Sequence, residues 1–136
     1  MSYLLDTNVC IALINGSSER VRRRLYAAVR PGILPSISSI VAHELWYGVA
    51  KSERVTENAN RLTAFLASAV TVIDFSEQDA RAAGEIRADL ERRGERIGEY
   101  DTLIAGQAFC RNLVLVTANT SEFRRVKGLV VEDWTA

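Results

Sequence analysis

Short apolar runs alternate with helix-patterned segments along this whole chain, and an acid follows directly on the first run. That alternation is the feature that most narrows the fold. Tyr3-Leu4-Leu5 is a short apolar stretch ending at Asp6, and further strand-like stretches lie at 33–37, 70–75, 113–117 and 129–132. Between them, residues 8–15 read as a short helix stopped by Gly16, and a second helix runs over 19–30 before Pro31-Gly32. Ser38 or Ser39 opens a third helix to about residue 51, and a more polar helix carries Leu62, Phe65 and Leu66 on its apolar side. Ser76-Glu77-Gln78-Asp79 has the form of a capping box and starts a helix ending at Gly94. Residues 101–111 form the last long helix. Pro35 predicts an irregular or edge strand. Strands alternating with helices imply an α/β fold with a small, mostly parallel central sheet, whose ligands bind beyond the carboxyl ends of the strands.

A chain of 136 residues suits one domain, spanning 1–136, and its 48% hydrophobic content suffices for a buried core. With 17 basic and 17 acidic residues it carries no bulk charge to draw in a polyanion, so such contacts must come from local patches. There is no membrane-spanning run or secretory signal, and the chain reads as cytoplasmic. Cys10 and Cys110 both lie in apolar helical patterns and are expected to be buried, reduced thiols.

Five residues are the candidates for chemistry. Asp6 lies at the end of the first strand, where it can cap the next helix or face a ligand. Glu44 stands on a helix that is apolar almost all round, which is costly unless the carboxylate is paired or bound to a cation. Gly48, one turn on, removes a side chain beside it. Asp101 opens the helix 101–111. Asn119 and Glu122 follow the strand 113–117, at a second strand end. Together these groups form an oxygen-rich set of the kind that Mg²⁺ or Mn²⁺ takes, and without a cation they would repel one another. Beside them, Arg124 and Arg125 are the basic residues placed to contact phosphate. The run Arg20, Arg22, Arg23 and Arg24 reads better as a solvated face. Trp46 and Tyr47 read as core or as a dimer contact, and His43 reads as structural.

These segments resemble a known family. Tyr3-Leu4-Leu5-Asp6-Thr7-Asn8 resembles the opening of PIN-domain VapC toxins, and the stretch from Ser39 through His43-Glu44-Leu45 to Gly48 is similar to their second acidic motif. Residues 97–105, around Tyr100-Asp101, resemble the third, and 116–123 the fourth. The ending around Asp133-Trp134 also fits. The resemblance implies a three-layer α/β/α fold, a homodimer, a VapB-type antitoxin, and Mg²⁺- or Mn²⁺-dependent endoribonuclease activity. It makes Asp6, Glu44 and Asp101 the metal-binding acids, with Asn119 or Glu122 completing the site and Thr7, Arg124 and Arg125 on the substrate side. Attack by metal-activated water on phosphorus would leave 5′-phosphate and 3′-hydroxyl ends, and an exposed loop of a structured RNA such as a tRNA is a suitable target. Glu99 departs from the small residue or proline expected before the Tyr-Asp pair.

Other α/β readings fit less well. A haloacid-dehalogenase-type phosphatase wants a second aspartate where Asn8 stands, and a phospho-receiver wants a lysine near Thr117-Ala118-Asn119. A non-catalytic PIN-like module that binds RNA or protein is the alternative that metal-stimulated cleavage would separate.

Overall fold

A computed structural model describes residues 2–136. In chain order the elements are β1 (Tyr3–Leu5), α1 (Thr7–Asn15), α2 (Glu19–Ala28), β2 (Ser36–Ser38), α3 (Ser39–Ala50), α4 (Val55–Ser68), β3 (Thr71–Ile73), α5 (Glu77–Arg92), α6 (Glu99–Cys110), β4 (Val114–Val116), α7 (Thr120–Phe123) and β5 (Val131–Glu132). The five strands form one sheet in the order β3-β2-β1-β4-β5, and every pairing is parallel. Helices flank it in a three-layer α/β/α arrangement. Val114, Leu115 and Val116 are all buried, as expected for a strand covered on both faces.

The strand order positions the site. From β1 the chain moves outward through β2 to β3, then returns to lay β4 on the other side of β1. The order therefore reverses between β1 and β4, and helices diverge there to leave a crevice at the carboxyl ends. Leu5 is in register with Val116, so Asp6 and Thr117 emerge side by side. The Asp6 amide continues the ladder by donating to the Val116 carbonyl at 3.0 Å.

Local signals account for most boundaries. Ser18 caps α2, Ser38 caps α3, and Ser76 with Asp79 makes the reciprocal capping box of α5. Gly16 ends α1 in the left-handed conformation at φ 63°. The second strand starts after Pro35, later than the sequence suggested, because proline has no amide for the ladder. Residues Arg30 and Ile33 instead close an isolated antiparallel bridge. Helix α6 begins at Glu99 with Gly98 as its cap, so Asp101 lies within the first turn and its side chain is free of capping duty.

Helices α5 and α6 pack unusually closely. A Cβ added at Gly106 would lie 2.6 Å from Ala83 atoms, so only glycine allows this approach. Next to that contact, Gln107 donates to Asp79 and to the Asp74 carbonyl, and Arg111 grips Asp79 through two nitrogens at 3.1 and 2.9 Å. Burial pushes the Asp79 carboxyl up, but Arg111 and Ser76 outweigh it and hold the group below its ordinary range. Both cysteines are free thiols; Cys10 is buried as expected, whereas Cys110 is exposed, because α6 ends there and the chain turns outward. No helix among the described residues is long and apolar enough to cross a membrane.

Candidate active site

Asp6 is buried at the end of β1. It caps α1, one of the two readings given for it: one carboxylate oxygen accepts from the Thr7 amide at 2.7 Å, and the other accepts from the Thr117 hydroxyl at 2.8 Å. The Thr117 oxygen also accepts from the Asn119 amide at 3.0 Å. Asp6 is thus held from both flanking strand ends, in a fixed orientation.

Thr7 ties the first strand to α3. Its hydroxyl donates to Glu44 Oε1 at 2.9 Å, which holds that carboxylate on the crevice side of an otherwise apolar helix. Across the crevice, Asn119 Nδ2 donates to Glu122 Oε2 at 2.8 Å. Asp101 completes the group from α6. Its carboxyl is pushed up to about 7, first by burial, then by a hydrogen bond shared with Glu122 and by the charges of Asp6, Glu122 and Glu44. Five elements or their ends therefore bring Asp6, Glu44, Asp101, Asn119 and Glu122 into one electrostatically linked group.

The group has an excess of negative charge and, among the described residues, no basic side chain in its hydrogen-bond network. Among the described residues, no three His, Cys, Asp or Glu side chains stand close enough to cage an ion as they are. The donor chemistry nonetheless fits a hard divalent cation: every candidate ligand is a carboxylate or amide oxygen, and Mg²⁺ needs only one or two carboxylates when it keeps its waters. The Asp101 carboxyl is raised first by burial and further by the carboxylates around it.

The basic residues fall out differently. Arg124 is exposed just beyond α7. Arg125 is already engaged, donating to the Arg96 carbonyl at 2.9 Å, while its own carbonyl accepts from Arg93. Arg111, at the end of α6, is committed to Asp79. The run in α2 is a solvated face, as expected: Arg22 and Arg23 pair with Glu19, and Arg24 with Glu132. Thr117 is the one site residue to which the sequence assigned no role. A hydroxyl directly after a fully apolar strand, in register with the acid after its neighbour, was the signal that could have found it.

The model of the PIN domain matches residues 3–129. The chain belongs to the PIN-domain family. Within that family it is similar to ribonuclease VapC2 of Rickettsia felis, 41% identical over 98% of both chains, and to the tRNA(fMet)-specific endonuclease VapC of Shigella flexneri, 40% identical over 99% of both. Two solved structures have the same fold as this PIN domain with a TM-score of 0.90 and 40% identity. One is VapBC2 of Rickettsia felis bound to a promoter DNA fragment, covering 98% of this chain and 99% of that one. The other is DNA-bound VapBC of Salmonella typhimurium, covering 98% of each. The PIN crevice described above therefore sits in a VapC-type frame.

Proposed function

We propose that this PIN domain is the ribonuclease toxin of a VapBC-type toxin–antitoxin pair, and that it hydrolyses RNA phosphodiesters at a Mg²⁺ or Mn²⁺ centre held by Asp6, Glu44 and Asp101. One observation carries the reading: at the β1–β4 crevice burial first, then a hydrogen bond with Glu122 and the charges of Asp6, Glu122 and Glu44, push the Asp101 carboxyl up to about 7. The names of the relatives support ribonuclease activity, a tRNA as one substrate class, and a VapB antitoxin as partner.

A bound divalent cation would attract the anionic phosphodiester and make a water acidic enough to act near neutral pH. The chain supplies the rest. Asp6, fixed by Thr7 and Thr117, presents a preorganised ligand that cannot swing away. Asp101, whose carboxyl is pushed up to about 7, would have to lose its proton to hold such an ion, so binding would be expected to release a proton. Glu44, anchored through Oε1 by Thr7, is placed to orient a water or accept a proton through its other oxygen. Asn119 keeps Glu122 facing the crevice, where it can complete the shell. Arg124 lies on the substrate side, and Arg125 would have to leave Arg96 to join it. A homodimer would follow the family pattern.

The decisive experiment incubates the purified, antitoxin-free chain with total RNA, with Mg²⁺ and with EDTA, and maps the new ends. Discrete cuts with 5′-phosphate and 3′-hydroxyl termini, seen only with the metal, are expected. Intact RNA under both conditions, with RNA binding preserved, would instead mean a PIN domain that binds without cutting.

A further inference from the structure

Two exposed rings meet between α3 and α6, and a third stands one turn along α3. His43 directly precedes Glu44 and Tyr100 directly precedes Asp101, and their ring centroids lie 6.0 Å apart at an interplanar angle of 41°. Tyr47 stands one turn beyond His43 on α3, and Lys51 one turn beyond that, with its Nζ 4.8 Å from the Tyr47 ring centroid. Residues spaced by four share one edge of a helix. Tyr100, His43, Tyr47 and Lys51 therefore make a strip whose first two members adjoin Asp101 and Glu44 in the chain and whose far end is a cation. The rings are open to solvent: Tyr47 is 60% and Tyr100 48% exposed, and His43 is exposed as well. Of the two sequence readings of Tyr47, core or dimer contact, its exposure removes the first.

We propose that Tyr100, His43 and Tyr47 form a base-stacking track that guides single-stranded RNA into the acidic crevice, with Lys51 contacting phosphate at its outer end. The proposal rests on the ribonuclease reading and adds the route by which substrate is held. Flat rings with polar tips suit bases, because every base has a π face and stacking needs no fixed sequence. From His43 to Lys51 the helix rises ~12 Å, the length of roughly three stacked nucleotides at ~3.4 Å each. The row offers no aliphatic knob of the kind that a packed protein contact would use. Its charge also runs the right way: Lys51 meets phosphate where no metal is near, and the carboxylates take over where a cation would be held. A chain of near-neutral total charge has to gain RNA affinity from such local features.

The test uses a short single-stranded RNA carrying 2-aminopurine, whose fluorescence is quenched on stacking, and the same RNA with one abasic position moved along it. Wild-type protein should quench the fluorescence with or without Mg²⁺. Tyr100→Ala and Tyr47→Ala should each lower affinity and raise KM about tenfold with kcat little changed, and Tyr100→Phe should restore both. On the RNA that lacks the stacked base, wild type and Tyr100→Ala should become equal. Absence of a tyrosine-dependent fluorescence change overturns the track. So does a loss in Tyr100→Ala that persists on every abasic substrate, or a loss that ultracentrifugation traces to dissociation of a dimer. Quenching by wild type without any cleavage leaves the track standing and removes the ribonuclease reading instead.

Discussion

At the scale of single residues, the site works by restraint. Asp6 accepts hydrogen bonds on both oxygens, and the donors come from two different strand ends. Replacing Asp6 or Asp101 with asparagine removes the charge while keeping the shape, and RNA cleavage should fall at least a hundredfold, about 3 kcal/mol of barrier, in proteins whose circular dichroism is unchanged. Thr117→Val is a finer probe. It deletes the hydroxyl that orients Asp6 and satisfies the Asn119 amide, without altering the acids themselves. Hydrogen bonds to charged groups contribute ~1.5–3 kcal/mol, so cleavage should drop tenfold or more, with weaker Mg²⁺ binding by calorimetry. Normal metal affinity in Thr117→Val would show that Asp6 needs no such anchor. Asp6, Glu44 and Asp101 were legible in the sequence because each sits at a strand end, on an apolar helix or in a first turn. The pairing of Thr117 with Asp6 and of Thr7 with Glu44 was not, since which hydroxyl meets which acid depends on the strand order and helix packing.

At the scale of elements, the α5–α6 pair holds Asp101 in place. Gly106 permits the contact, and its only gain as alanine, a helix propensity of about 1 kcal/mol, is smaller than the overlap with Ala83. Gly106→Ala should therefore be net destabilising, by ~1–3 kcal/mol before that offset, in urea unfolding; a higher midpoint would mean the helices are not in such close contact. The Asp79–Arg111 clamp on the same pair makes stability depend on pH. The folded carboxyl is held below its ordinary 3.8, so on acidification the unfolded chain takes up the proton first. This contribution is complete above the ordinary value and is lost as pH falls through the folded one. Asp79→Asn should melt lower than wild type at neutral pH and lose less on moving to about pH 3. Parallel melting curves at every pH would rule out the clamp. The capping box containing Asp79 was readable from Ser76-Glu77-Gln78-Asp79, but its second use, as a partner for an arginine thirty-two positions away, needed the fold.

At the scale of the whole molecule, the crevice is a stored repulsion that a cation would relieve. The Asp101 proton is held more tightly in the folded chain than in the unfolded one, so its ionisation opposes folding as pH rises toward about 7. In metal-free buffer near neutral pH, Asp101→Asn should melt above wild type. Added Mg²⁺ should raise the wild-type midpoint by several degrees, since a ligand at a hundredfold its dissociation constant stabilises by ~2.7 kcal/mol, and EDTA should reverse it. The same addition should leave Asp101→Asn almost unmoved. Equal shifts in both proteins would place the ion elsewhere. Such an exchange of stability for function is common where like charges must be assembled for chemistry.

Periodicity and punctuation determined the elements of this protein: an apolar triplet with an acid behind it, serines before helices, and glycines after them are local preferences that act whatever the rest of the chain does. Tertiary structure alone decided that β4 returns beside β1, because strand order depends on long-range packing that no neighbouring residue encodes. That return sets Thr117 against Asp6 and brings Asp101 and Glu122 within reach of both. It also turned Tyr100 to His43, since two rings fifty-seven positions apart meet only when α3 and α6 are brought together by the fold.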